Sequence, residues 1–131
     1  MIIDLLEASM GKINSKAKGK RGELYVVHKF KEAGFDCNRT AQFKGKTGRA
    51  DDVEGIDYIH AEVKFVENLN ISKAMEQAER DCLASARVAF PVVFHKKSRE
   101  PLRVTMNFDD WLELYKEYYS SMKLKNVYQN D

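Results

Sequence analysis

Asp51-Asp52-Val53-Glu54-Gly55-Ile56-Asp57-Tyr58-Ile59-His60-Ala61-Glu62-Val63-Lys64, residues 51–64, is the stretch that decides the fold. Ile59, Ala61, Val63 and Phe65 alternate with His60, Glu62 and Lys64, the two-residue period of a strand. The spacing predicts a strand over residues 59–66, preceded by a turn at Gly55 and a short strand around residues 50–54. Such neighbours bring Asp52 and Glu62 close together and leave Glu62 and Lys64 on one face. Two readings of that acid and amine stay open. One is a solvated face with a weak surface ion pair; the other is a chemical site.

Outward from this stretch, Leu24, Val27, Phe30 and Ala33, with Val26 beside them, predict a helix from about Gly19 to Ala33, with Gly34 at the stop position. Glu23 borders its apolar stripe, where a carboxylate is costly to desolvate unless a cation meets it. It also suits the positive end of the helix dipole. Residues 2–10 read as a short helix, followed by a lysine-rich link through Lys20. Residues 35–40 read as a strand. Gln42-Phe43-Lys44-Gly45-Lys46-Thr47-Gly48-Arg49 is a basic, glycine-punctuated loop without the order of a nucleotide-binding P-loop.

Downstream, Ser72 is placed to cap a helix to about Ala86, with Met75, Ala78, Cys82, Leu83 and Ala86 apolar and Glu76 and Gln77 beside them. The run from Val88 to His95 reads as a strand, and Pro91 within it favours an edge or a bulge. A basic turn through Lys96 and Lys97 leads to a strand over residues 102–106. Asn107 and Asp110 resemble a capping box. Trp111, Tyr115, Tyr118 and Met122, widened by Phe108, Leu112 and Tyr119, form a stripe on the last helix. The stripe is either core packing or, on a terminal helix, a dimer contact. The order of elements describes an α/β protein, a small mixed sheet flanked by helices.

Composition narrows the classes. The chain has 131 residues, 44% hydrophobic and 32% charged, as in an ordinary folded protein of one domain. No apolar run reaches the roughly 20 residues of a membrane span, and Met1-Ile2-Ile3-Asp4-Leu5-Leu6 is too short and acidic for a signal peptide. Cys37 and Cys82 lack metal or redox spacing and read as reduced cysteines of a cytoplasmic protein, with a disulfide as the alternative. The net charge of +2 hides an asymmetry: residues 11–49 carry eleven lysines and arginines against three carboxylates. A basic third of that kind suits a polyanion.

If the first helix packs on the sheet, Glu23, Asp52, Glu62 and Lys64 converge. Clustered carboxylates ionise comfortably only around a cation, and oxygen donors suit magnesium, with manganese as a substitute. Beside a basic loop, that is a recipe for phosphodiester hydrolysis. His28, His60 and His95 show no zinc spacing, and no Ser or Cys nucleophile arrangement is present.

The Glu23 helix, Asp52 and Glu62-Val63-Lys64 resemble the PD-(D/E)xK nuclease superfamily. The text from Gly19-Lys20-Arg21-Gly22-Glu23 to residues 92–106 is similar to its Holliday-junction resolvase branch, archaeal and phage-encoded. The resemblance implies a restriction-endonuclease-like core, with Asp52, Glu62 and the Val63 carbonyl as metal ligands and Lys64 as catalytic lysine. It further implies Glu23 contacting metal through water and Gln77 supporting the site. Where the motif has proline this chain has Asp51, which leaves Asp51 and Asp52 to be told apart. Lys20, Arg21, Arg39, Lys44, Lys46, Arg49, Lys96 and Lys97 are the expected DNA contacts.

The expectation is a single nuclease domain over residues 1–131: an N-terminal helix and basic link (1–18), a catalytic core (19–120) and a flexible tail (121–131). The expected activity is that of a magnesium-dependent, structure-selective DNA endonuclease on four-way junctions. The expected setting is a homodimer in a bacterial cytoplasm, encoded by phage or prophage and not on a membrane. The alternatives are a related nuclease acting on other DNA in repair, restriction or single-strand processing, and a non-catalytic DNA-binding module.

Overall fold

The computed structural model describes residues 15–41 and 51–129. They form helix α1 (Ser15–Glu32), strands β1 (Asn38–Arg39), β2 (Val53–Glu54) and β3 (Ile59–Lys64), helix α2 (Ile71–Ala84), strands β4 (Phe90–His95) and β5 (Arg103–Met106), and helix α3 (Phe108–Gln129). The expected helix over residues 2–10 and the basic loop with Lys44, Lys46 and Arg49 lie outside the described residues.

The five strands lie in sequence order in one sheet. The pairs β1–β2, β2–β3 and β4–β5 are antiparallel, and β3–β4 is parallel, in register from Ile59↔Phe90 to Lys64↔His95. A parallel pair needs a crossover, which α2 supplies, so a helix covers the face of the sheet opposite α1. This is the mixed sheet flanked by helices expected of a restriction-endonuclease-like core. On the α1 face Val26 and Val27 meet Val53, Ala61, Val92 and Phe94. On the other, Ala74, Met75 and Ala78 meet Val93. Each large apolar side chain buried here contributes roughly 1.5–3 kcal/mol. Glu62 is in register with Val93, so the polar set of β3 is roofed by α2 rather than left in solvent.

Two glycines fix the geometry. Gly55, at φ 95°, turns β2 toward β3, and a Cβ there would lie 2.8 Å from the Asp36 carbonyl oxygen. A Cβ on Gly22 would lie 2.9 Å from Phe65 Cγ, so α1 and β3 approach closely at that point.

Several expectations are corrected. Helix α1 begins a turn earlier, at Ser15, and absorbs most of the lysine-rich link, because Lys16-Ala17-Lys18 are good helix formers. The cap of α2 is Asn70, whose side chain accepts from the Lys73 N–H, rather than Ser72, and the helix ends at Ala84. Pro91 lies in a central strand. Phe90 and Lys96 donate their N–H groups toward β3, so the missing N–H of Pro91 faces β5, whose pairing begins only at Val92. Asn107 directs its side-chain amide to Glu79 of α2 and forms no capping box with Asp110.

Helix α3 continues through residues 121–129, where a tail was expected, since neither glycine nor proline interrupts it. It packs on neither face of the sheet. Phe108, Trp111, Leu114, Tyr115, Tyr118 and Tyr119 are exposed, so the stripe is not core packing within one chain. Cys37 and Cys82 are free and buried. No helix among the described residues is long and apolar enough to cross a membrane.

Candidate active site

Asp52 immediately precedes β2, next to the Val53–Ala61 pairing with β3. Its N–H donates to the Ala61 carbonyl at 2.7 Å, and its Oδ2 accepts from the Val63 N–H at 2.7 Å. The side chain thus takes over a backbone pairing position and is held beside Glu62. Burial and the neighbouring Glu62 carboxylate push the Asp52 pKa up to about 8, with Glu23 adding to the rise; the Val63 N–H and Lys64 oppose it. A carboxyl so raised is a common mark of a functional site.

Glu62 is 1% exposed, under α2, and its Oε1 has no hydrogen-bond partner. His60, fully buried two residues earlier on the same face, brings Nε2 to 3.5 Å from that oxygen. At that distance it is a close approach rather than a hydrogen bond. Both ring nitrogens of His60 likewise lack partners. Buried polar atoms in this state ordinarily cost about 1–3 kcal/mol each. An oxygen of this kind, beside a carboxyl driven toward neutrality by its neighbours, fits a hard divalent cation.

The remaining members are placed less uniformly. Lys64, half-buried at the end of β3, is close enough to lower the Asp52 pKa. Glu23 acts on Asp52 electrostatically, yet its carboxylate is paired with the Arg39 guanidinium on β1. The carboxylate at the edge of the α1 stripe has therefore found its cation within the chain, and Arg39, expected on DNA, is engaged with it. Among the described residues no three His, Cys, Asp or Glu side chains are grouped to hold a metal ion. The pair Asp52 and Glu62 is what the described residues offer, not the triad with Glu23. Gln77 is half-buried on α2 and makes no hydrogen bond to Asp52, Glu62 or Lys64.

Asp51 and Asp52 are separated by the structure. Asp51 is 2% exposed and meets the Arg87 guanidinium at 3.0 Å, whereas Asp52 turns to Val63 and Glu62. Arg87 went unnoticed in the sequence because it stands alone in the link between α2 and β4, with no motif around it. Lys20, Arg21 and Lys97 are exposed. Lys96 is half-buried with its ammonium over the Tyr25 ring, 5.9 Å from the centroid.

No family model matches the chain, and no curated protein matches it. Among solved structures the chain is similar to Hjc, a Holliday junction resolvase of the hyperthermophilic archaeon Archaeoglobus fulgidus. The two are 23% identical over 68% of this chain and 72% of that chain, with a TM-score of 0.44.

Proposed function

We propose that the protein is a metal-dependent DNA endonuclease selective for branched DNA, most simply a Holliday-junction resolvase. The observation that carries this reading is the Asp52–Glu62 pair. Two carboxylates are held together, that of half-buried Asp52 lifted to about 8 and that of buried Glu62 with an unpartnered oxygen. Asp52, Glu62 and the Val63 carbonyl would hold magnesium, or manganese in its place; Glu23, tied to Arg39, would reach it through water only once released. When bound, the ion supplies charge neutralisation at the phosphate and a more acidic water. Lys64, near enough to act on Asp52, would orient the attacking water or meet charge developing on the phosphate. The Val63 N–H holds Asp52 in place, and α2 excludes solvent from Glu62.

A junction with two-fold symmetry calls for two sites, and α3 supports a second copy of this chain as its occupant. The exposed aromatic, Leu114 and Met122 side chains add up to roughly 700 Å², close to the ~800 Å² each partner buries in a standard interface.

The test is cleavage of a labelled four-way junction with magnesium, beside a linear duplex and a single strand. Paired nicks on the junction alone, abolished by Asp52→Asn, are the expected result. Cutting of duplex or single strand instead would keep the site and replace the substrate. Binding without turnover in either metal would favour the competing reading, a non-catalytic DNA-binding module. The Glu23–Arg39 ion pair, which withdraws the third acid, is the observation on that side.

A further inference from the structure

A cavity of about 210 Å³ lies between the first two turns of α1 and the link that follows β4. Four cations line it, Lys18 and Arg21 from the helix and Lys96 and Lys97 from the link. They come from segments far apart in sequence, and like charges gathered by a fold repel unless an anion joins them. Among the described residues that line it Glu67 is the one carboxylate; it offsets part of the charge of Lys18 and Lys97, and accepts hydrogen bonds from the Ser98 N–H at 3.0 Å and from the Ser98 hydroxyl. It thereby anchors the link that carries Lys96 and Lys97. The first turn of α1 has no acidic residue, so the positive end of the helix dipole adds to the same field.

The wall of the cavity is ordered. Tyr25 packs edge-on against Phe65 at 5.5 Å between centroids, and its ring carries the ammonium groups of Lys29 at 5.6 Å and Lys96 at 5.9 Å. The aromatic face is therefore spent on holding cations and is not offered to a base. Size decides in the same direction. The volume equals that of about seven waters and falls below the ~300–1,000 Å³ of sites for whole small molecules.

The cavity adjoins the candidate active site. Phe65 follows Lys64, the Lys96 N–H donates to the Lys64 carbonyl at 3.1 Å, and Gly22, packed on Phe65, precedes Glu23.

We propose that this cavity is a phosphate subsite, separate from the Asp52–Glu62 pair, that takes a backbone phosphate of the DNA strand neighbouring the one to be cut. The identity of the strand rests on the nuclease reading above; the anion site does not.

The test uses the full chain and two probes. Inorganic phosphate, titrated at constant ionic strength, should shift the NMR signals of the Phe65, Lys97 and Ser98 amides. Those shifts should vanish in a Lys18→Ala/Lys96→Ala variant. Tyr25→Leu should weaken phosphate binding about three-fold by releasing Lys96, whereas Tyr25→Phe, which keeps the ring, should not. Absent shifts in the wild-type protein, or shifts unchanged in the double variant, would overturn the subsite. A labelled junction should then show a salt slope shallower by about one in the double variant, with Lys116→Ala on α3 as the unaffected control. Phosphate binding by a protein that binds no DNA would uphold the anion site and overturn its assignment to DNA. Cleavage by a protein whose cavity ignores phosphate would overturn the subsite alone.

Discussion

Asp52 is tied to Val63 through its side chain and to Ala61 through its backbone, both at 2.7 Å. Its carboxylate therefore cannot swing away from Glu62 to relieve their repulsion. Burial first, and that repulsion second, raise its pKa, and the rise has a measurable outcome.

Folded Asp52 titrates near 8, against 3.8 for the unperturbed group. Between those values the native protein holds a proton that the unfolded chain has lost, so the stability from this group falls as pH rises and is lowest above about 8. At 1.36 kcal/mol per unit the effect reaches a few kcal/mol. Thermal unfolding at pH 5 and pH 8 should show a lower Tm at pH 8, and Asp52→Asn should raise the pH 8 value by about 5 °C or more. Magnesium should stabilise the wild-type protein at pH 8 and the variant much less. An Asp52→Asn protein with the same pH trend as the wild type would contradict the assignment.

Arg87 is the second expected weak point. Its guanidinium faces Asp51, which is 2% exposed, so Arg87→Ala leaves a buried carboxylate with less compensation. Loss of one partner from such a pair costs about 3–5 kcal/mol. Urea unfolding should show most of that loss, while Asp51→Asn in the same background should recover part of it. Full stability in Arg87→Ala would mean that Asp51 is held by other groups.

Glu23 and Arg39 are partly exposed, at 18% and 23%, so their coupling is weaker. A double-mutant cycle with Glu23→Gln and Arg39→Met should give a stability coupling of about 1 kcal/mol after solvent screening. Arg39→Met alone should also release Glu23 and tighten magnesium binding, read by isothermal calorimetry. Unchanged metal affinity would show that Glu23 stays away from the ion even when free.

Helix α3 predicts concentration dependence. Sedimentation should show dimers at micromolar concentration, and Trp111→Glu with Tyr118→Glu should give monomers of native secondary structure. Those side chains touch no core of their own chain, so the double variant should lose little monomer stability. A wild-type protein monomeric at all concentrations would leave the aromatic face without its proposed occupant.

Much of this was legible in the sequence, for physical reasons that also mark its limits. The alternation around Ala61 and Val63 located β3 because a two-residue period has no helical counterpart. The same alternation suggests one wet face, yet His60 and Glu62 are buried, because a parallel crossover brings α2 over them. Pro91 argued for an edge; it lies in a central strand because β5 stops one residue short of it. Asn70 and Ser72 are both competent caps, and only the path of the chain chose between them. Glu23 announced its need for a cation, but not that Arg39 would meet it. The phosphate cavity was hidden because its walls, Lys18 and Lys96, are joined only by the fold.

The contact between Gly22 and Phe65 acts as a gauge block. Glu23 follows the first residue and Lys64 precedes the second, so the depth of one missing methyl group sets how far apart those two charges stand. A helix seated a single side chain higher would carry Glu23 off the sheet and widen the neighbouring cavity at the same stroke. The tolerance of the candidate site is therefore held in a place with no chemistry of its own, an alpha carbon resting on a ring.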